Sequence, residues 1–187
     1  MSDITYRSLV WLAYRLASIF AVGLPLVLTV WSIYKKEGCI VRLLSIYWKI
    51  SSLMAICILL LTNDKPLGYL ILLISQFLIT ISIWFWVDLN EELGDLPPWR
   101  PLSLTVRVWR WSLTSSCALT TALAAFSLPC LRIISNAKCL SWLEPPMAFH
   151  NIANRVLGFL LGANWNEPLA GFIGYLGLIA YTIGIIQ

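Results

Sequence analysis

Long apolar runs separated by short polar links dominate this chain. The runs cover residues 12–34, 43–62, 66–87, 108–131 and 168–186. Each holds about 19 to 24 residues, and about 20 residues of helix cross the hydrocarbon layer. Helix is the required conformation there, because lipid offers no partner to a free backbone N–H or C=O. The pattern predicts an all-α integral membrane protein: one membrane domain over 1–187, built as a bundle of about five transmembrane helices. Pro25 lies inside the first run and predicts a kink. The Asn63-Asp64-Lys65 link is short enough to force an antiparallel hairpin of the second and third spans.

Alternation of five spans puts two sets of segments on opposite faces. Side A takes the loop at Lys35-Lys36, the stretch 88–107 and the C-terminus. Side B takes the N-terminus, the hairpin link and the loop 132–167. Within that last loop, Phe149, Ile152, Ala153, Val156, Leu157 and Leu160 repeat at helical spacing, with His150, Asn151, Asn154 and Arg155 between them. The spacing predicts an amphipathic surface helix over 146–160, too short and too polar to span. Packing against a partner is the alternative seat for it. Trp31, Trp48, Trp84, Trp86, Trp99, Trp109 and Trp111 all fall on side A, as an interfacial belt would require.

Composition agrees with lipid as the solvent. The chain is 59% hydrophobic and 12% charged, against about 25% charged in soluble domains. A net charge of +4, spread along the chain, gives no footing for nucleic acid. The N-terminal run is longer than the apolar core of a cleavable leader and contains Arg15, so it reads as a retained span. Of the 13 lysines and arginines, seven fall on side A and six on side B. That split leans only slightly to side A as cytoplasmic. None of the five cysteines forms a C-x-x-C pair. Cys130 and Cys139 share side B and are close enough in sequence to bridge, although free thiols are the expected state.

Candidate chemistry is sparse. His150 is the single histidine, which excludes a bis-histidine haem and any zinc site needing two histidines. No phosphate-binding, dinucleotide-binding or hydrolase motif occurs, so no enzymatic activity and no metal site are expected. Contact of the tryptophans with pigment, quinone or lipid stays open. Arg15 and Lys49 are intramembrane charges; snorkelling explains them, and an ion path is the alternative. The small residues Ala170, Gly174, Ala180 and Gly184 form two small-x-x-x-small pairs for close helix packing, within the chain or between copies. Ser112, Thr114, Ser115, Ser116, Thr120 and Thr121 line the fourth span, where their hydroxyls can bond back to their own backbone or line a substrate path.

The stretch from Trp84 to Leu104 carries most information. Asp88, Glu91, Glu92 and Asp95 follow i, i+3, i+4, i+7 and put four carboxylates on one helical face as the third span leaves the bilayer. Arg100, Arg107 and Arg110 follow and could balance them. A solvated face, a partner-docking surface including Trp99 and Arg100, and a divalent cation site are the three readings.

Trp84-Phe-Trp-Val-Asp-Leu-Asn-Glu-Glu, Leu96-Pro-Pro-Trp-Arg-Pro-Leu and Trp109-Arg-Trp, with Tyr47-Trp-Lys and Trp142-Leu-Glu-Pro-Pro, resemble an uncharacterised cyanobacterial family of multi-pass membrane proteins, a domain of unknown function. The resemblance covers most of the chain. It implies a thylakoid or plasma membrane location, and neither an activity nor catalytic residues. The expectation is a non-enzymatic accessory, assembly or structural subunit of a larger photosynthetic or respiratory membrane complex. The alternative is a small transporter or channel acting as an oligomer.

Overall fold

The computed structural model describes residues 3–97, 99–131, 137–161 and 166–186. Pro98 and Arg132 lie outside them, as do the side chains of Leu157 and Leu160. The described chain is helical, with no strand. Its elements are α1 (Asp3–Ala17), a π-helical segment (Ser18–Gly23), α2 (Leu24–Lys35), α3 (Gly38–Thr62), α4 (Leu67–Trp84), α5 (Val87–Asp95), α6 (Pro101–Ala125), a 3-10 turn (Leu128–Leu131), α7 (Ala137–Leu161) and α8 (Glu167–Ile186).

Three helical stretches among the described residues are long and apolar enough to cross a membrane: Asp3–Lys35, Gly38–Thr62 and Leu67–Trp84. The first starts nine residues earlier than its apolar run, at Asp3 rather than residue 12. Helix formation tolerates Asp3, Arg7 and Arg15, since a charge spoils hydropathy without spoiling backbone pairing. The third ends at Trp84, three residues short of the expected 87. Trp86 is extended (φ −80°, ψ 99°) and restarts the chain as α5, so the acidic face is carried by a separate short helix and not by a continuation of the span. The expected fourth span, 108–131, is helical only to Ala125 within the longer α6 and finishes in the 3-10 turn. The surface helix expected over 146–160 belongs to the 25-residue α7, which takes Pro145 and Pro146 into its interior.

The chain packs as two compact units. One comprises 12–51 and 75–122. Its core holds Leu28, Leu43, Leu44, Tyr47, Ile79, Val106, Trp109 and Leu113. Here the consequence of Pro25 becomes visible. Proline has no N–H, and its ring crowds the carbonyl four residues back. The helix widens in response, Leu24 N–H bonding to Ile19 C=O five residues away. Two carbonyls are left over. Ala21 would pair with residue 25 in α register and Phe20 in π register, and Pro25 can donate to neither. Both are satisfied by buried aromatics: Tyr47 Oη donates to Ala21 C=O at 2.5 Å, and Trp109 Nε1 donates to Phe20 C=O at 2.8 Å. The two rings meet edge to face, centroids 5.2 Å apart. Trp109, expected in the interfacial belt, is a core residue, whereas Trp86, Trp99 and Trp111 are exposed.

The other unit comprises 1–11, 52–74 and 123–187. The α3–α4 hairpin is present, turning through Asp64 at φ 51°. Its arms approach closely at Gly68, where a Cβ would lie 2.8 Å from the Leu61 side chain. Trp142 Nε1 donates to Tyr6 Oη (2.8 Å), which donates to Leu123 C=O (2.9 Å). Tyr69 Oη donates to Cys139 C=O at 3.0 Å. Cys130 and Cys139 are bonded as a buried disulfide, not the free thiols expected.

Candidate functional site

The α5 segment and its flanks are held by four arginines, none in the way the sequence suggested. Arg100, Arg107 and Arg110 do not balance the acidic face. Arg42 pairs with Glu92 (2.5 Å), and Arg100 pairs with Glu37 (3.1 Å). Arg107 Nη2 faces the carbonyls of Leu93, Gly94 and Leu96 at 3.2–3.4 Å, capping the C-terminal end of α5. Arg110 is buried. Its Nη2 donates to Ile83 C=O and Asn90 Oδ1, both at 2.5 Å, and its guanidinium lies 4.1 Å from the Trp84 ring centroid. Asn90 in turn donates to Trp84 C=O at 2.7 Å, and Trp84 Nε1 donates to Thr114 Oγ1 at 2.9 Å. The end of α4, the body of α5 and the first half of α6 are thereby tied at one point. Leu89 and Leu93 supply the apolar underside.

What that scaffold presents is acidic and aromatic. Asp88, Glu91 and Asp95 are exposed and carry no ion pair among the described residues. Trp99 is 81% exposed, more open than any other tryptophan described. Glu92, expected as a fourth docking carboxylate, is committed to Arg42, and Arg100 to Glu37. The free face is therefore Asp88, Glu91, Asp95 and Trp99. No group of three or more metal-ligating side chains occurs among the described residues.

The remaining candidates separate. Ala170 and Gly174 are buried, and a Cβ on Gly174 or Gly177 would lie 3.1–3.2 Å from Leu60 or Ile56 of α3. This ridge is an internal helix contact, joined by Gly171 against Asn63, which spacing by fours had missed. Ala180 and Gly184 are exposed. Arg15 and Lys49 are both exposed. Gln76 is buried and its Nε2 has no partner among the described residues.

On α7, orientation is the reverse of a soluble helix. Phe149, Ile152, Val156 and Phe159 are 50–89% exposed, while His150, read from sequence as a polar-face residue, is buried with Nδ1 unpartnered among the described residues. Glu144 on the same helix accepts from Arg7 Nε (2.7 Å) and Trp11 Nε1 (3.1 Å). Burial pushes its carboxyl up, but those two hydrogen bonds and the Arg7 charge outweigh burial and hold it below the usual glutamate value. In the hairpin turn, Asp64 moves the other way, raised first by burial and then by the Glu167 charge.

Residues 7–187 match the family described as protein of unknown function (DUF3177), and the chain belongs to that family. No curated protein and no solved structure matches it.

Proposed function

We propose that this member of the DUF3177 family is a non-enzymatic accessory or assembly subunit of a larger membrane complex, docked through the α5 platform. The reading includes five spans, with α6 and α8 added to the three helical stretches long and apolar enough to cross a membrane, and a cyanobacterial thylakoid or plasma membrane as the location. One observation supports it above the others. Three arginines, Arg42, Arg107 and Arg110, anchor a nine-residue helix, yet its exposed Asp88, Glu91 and Asp95, with Trp99 just beyond it, make no ion pair or hydrogen bond through their side chains among the described residues. Solvation alone needs no such scaffold. A partner-binding patch does, since a preorganised surface loses less entropy on binding, and an exposed tryptophan is a frequent interface anchor. A basic, aromatic-accepting surface is the complement.

The test is co-migration after mild detergent extraction. The Asp88→Ala/Glu91→Ala/Asp95→Ala variant should insert normally and leave the complex. A variant that still migrates with every wild-type partner defeats the reading. Migration of the wild type as a homo-oligomer alone would favour the transporter or channel alternative.

A further inference from the structure

A second feature lies on α6 and uses none of the exposed platform residues. A cleft of about 430 Å³ is lined by Leu16, Phe20, Trp111, Ser112, Ser115, Ser116 and Leu119. Its lining combines apolar side chains with three hydroxyls.

Those hydroxyls differ from three threonines of the same helix and share with the buried Ser103 the lack of a side-chain partner among the described residues. Inside an apolar helix a serine or threonine ordinarily returns its proton to the carbonyl four residues back. Thr105, Thr114 and Thr120 of α6 all do so, at 2.6–2.9 Å. Ser112, Ser115 and Ser116 make no side-chain hydrogen bond among the described residues. Ser116 is a buried residue, 6% exposed, and lines the cleft. Leaving a hydroxyl unpaired in an apolar setting is costly, and three within five residues is a pattern that a ligand acceptor would resolve.

Two further observations converge on the same place. Phe20 reaches the cleft from the π-helical segment Ser18–Gly23. Such wide turns recur at functional sites, because they re-aim a side chain out of helical register. At the other end Trp111 forms the rim. It is 65% exposed, packs edge-on against Trp84 at 5.0 Å, and its N–H has no partner among the described residues. An indole so placed sits at the headgroup level. Ser115, one turn below it, is then about 6 Å deeper, where lipid ester carbonyls give way to chains.

We infer that this cleft binds a lipid-soluble molecule whose apolar body carries a carbonyl acceptor, held by the Ser112, Ser115 and Ser116 hydroxyls beneath the Trp111 rim. The donors ask for an acceptor and the leucine and phenylalanine walls ask for an apolar body. A quinone ring and the ester region of a diacyl lipid share this chemistry. The inference stands apart from the docking reading, since the platform and the cleft use different residues.

The experiment is native mass spectrometry of the full chain after delipidation, titrated separately with a decyl-substituted benzoquinone and with a diacyl phosphatidylglycerol. One saturable adduct per chain is expected with one of the two probes, and which probe binds identifies the source of the carbonyl. Ser112→Ala/Ser115→Ala/Ser116→Ala should weaken that adduct about tenfold, the equivalent of roughly one net hydrogen bond. Ser115→Leu, at an exposed position that leaves the core untouched, should fill the cleft and abolish it, and this variant decides the matter if the triple variant folds poorly. Absence of a saturable adduct with both probes overturns the inference. So does equal affinity of wild type and Ser115→Leu.

Discussion

The Tyr47 hydroxyl donates to the carbonyl of Ala21, the acceptor that Pro25 leaves without its helical partner. Donor and acceptor are 26 residues apart in sequence. Pro25 and Tyr47 should therefore be thermodynamically coupled. Tyr47→Phe should cost about 1–3 kcal/mol, because it strands a buried carbonyl. In a Pro25→Ala background the new N–H can serve Ala21, and the same substitution should cost much less. A double-mutant cycle on unfolding in mixed micelles measures the coupling. Additive costs would separate Tyr47 from Pro25.

That relationship also shows where the sequence is silent. The apolar runs are legible because lipid forbids any other placement for them, and the α3–α4 hairpin follows from a link too short to do anything else. Pro25 is legible as an irregularity, but the π turn and its two aromatic donors depend on residues a span or more distant. The break at Trp86 is hidden, because Trp84-Phe85-Trp86-Val87 reads as unbroken hydropathy. The acidic periodicity of α5 shows in the sequence, but Glu92 pairs with Arg42, 50 residues away, and Arg100 goes instead to Glu37, 63 residues away. Periodicity finds a face without saying which way it turns. The stripe at Phe149, Ile152 and Val156 is correctly spaced, and it points outward while His150 points in.

Arg110 should be a positioning residue for the platform. Lysine cannot reproduce two directed hydrogen bonds and the planar contact on Trp84 at once. Arg110→Lys should therefore loosen α5 without unfolding the chain. Amide exchange of 87–95 should speed up by about tenfold or more, the effect of losing roughly one such interaction, while exchange in 52–62 stays unchanged. Uniform acceleration along the chain would make Arg110 a global stabiliser.

The Glu144 knot predicts a specific pH response. Its carboxyl is depressed in the folded state, so the stabilisation is fully present above the unfolded glutamate value, near 4.3. It is lost as the pH falls through the lower folded value. Thermal melts between pH 6 and about pH 3 should show this loss, and Glu144→Gln should flatten that part of the profile. An unchanged profile in Glu144→Gln would assign the acid response elsewhere.

Cys130 and Cys139 make a prediction about the compartment. A buried disulfide needs an oxidising environment to form, so side B should face the periplasm or thylakoid lumen and side A the cytoplasm. Mass analysis under non-reducing conditions should find these two thiols resistant to alkylation. Cys130→Ser should lower stability by about 2–3 kcal/mol for a loop of this size. In right-side-out membranes an impermeant maleimide should label Asp64→Cys and spare Glu92→Cys. The opposite labelling pattern would invert the orientation.

The last prediction separates the scaffold of the platform from its face. The Arg42–Glu92 pair is exposed on both sides, at 62% and 43%, so breaking it costs little in itself, under about 1 kcal/mol. If Glu92 holds α5 in place, exchanging the two charges, Arg42→Glu with Glu92→Arg, should restore the pair and preserve docking. If Glu92 meets the partner directly, the exchange should abolish docking even though α5 stays ordered. Asp88, Glu91 and Asp95 have no internal mate, so reversing them to lysine should release the partner. The residual binding of the Asp88→Ala/Glu91→Ala/Asp95→Ala variant should depend less on salt than the wild type's, because fewer exposed charges remain to be screened. Partner retention by the swapped pair, together with release by the reversed face, is the expected outcome. Retention by both would leave the acidic face no role in docking.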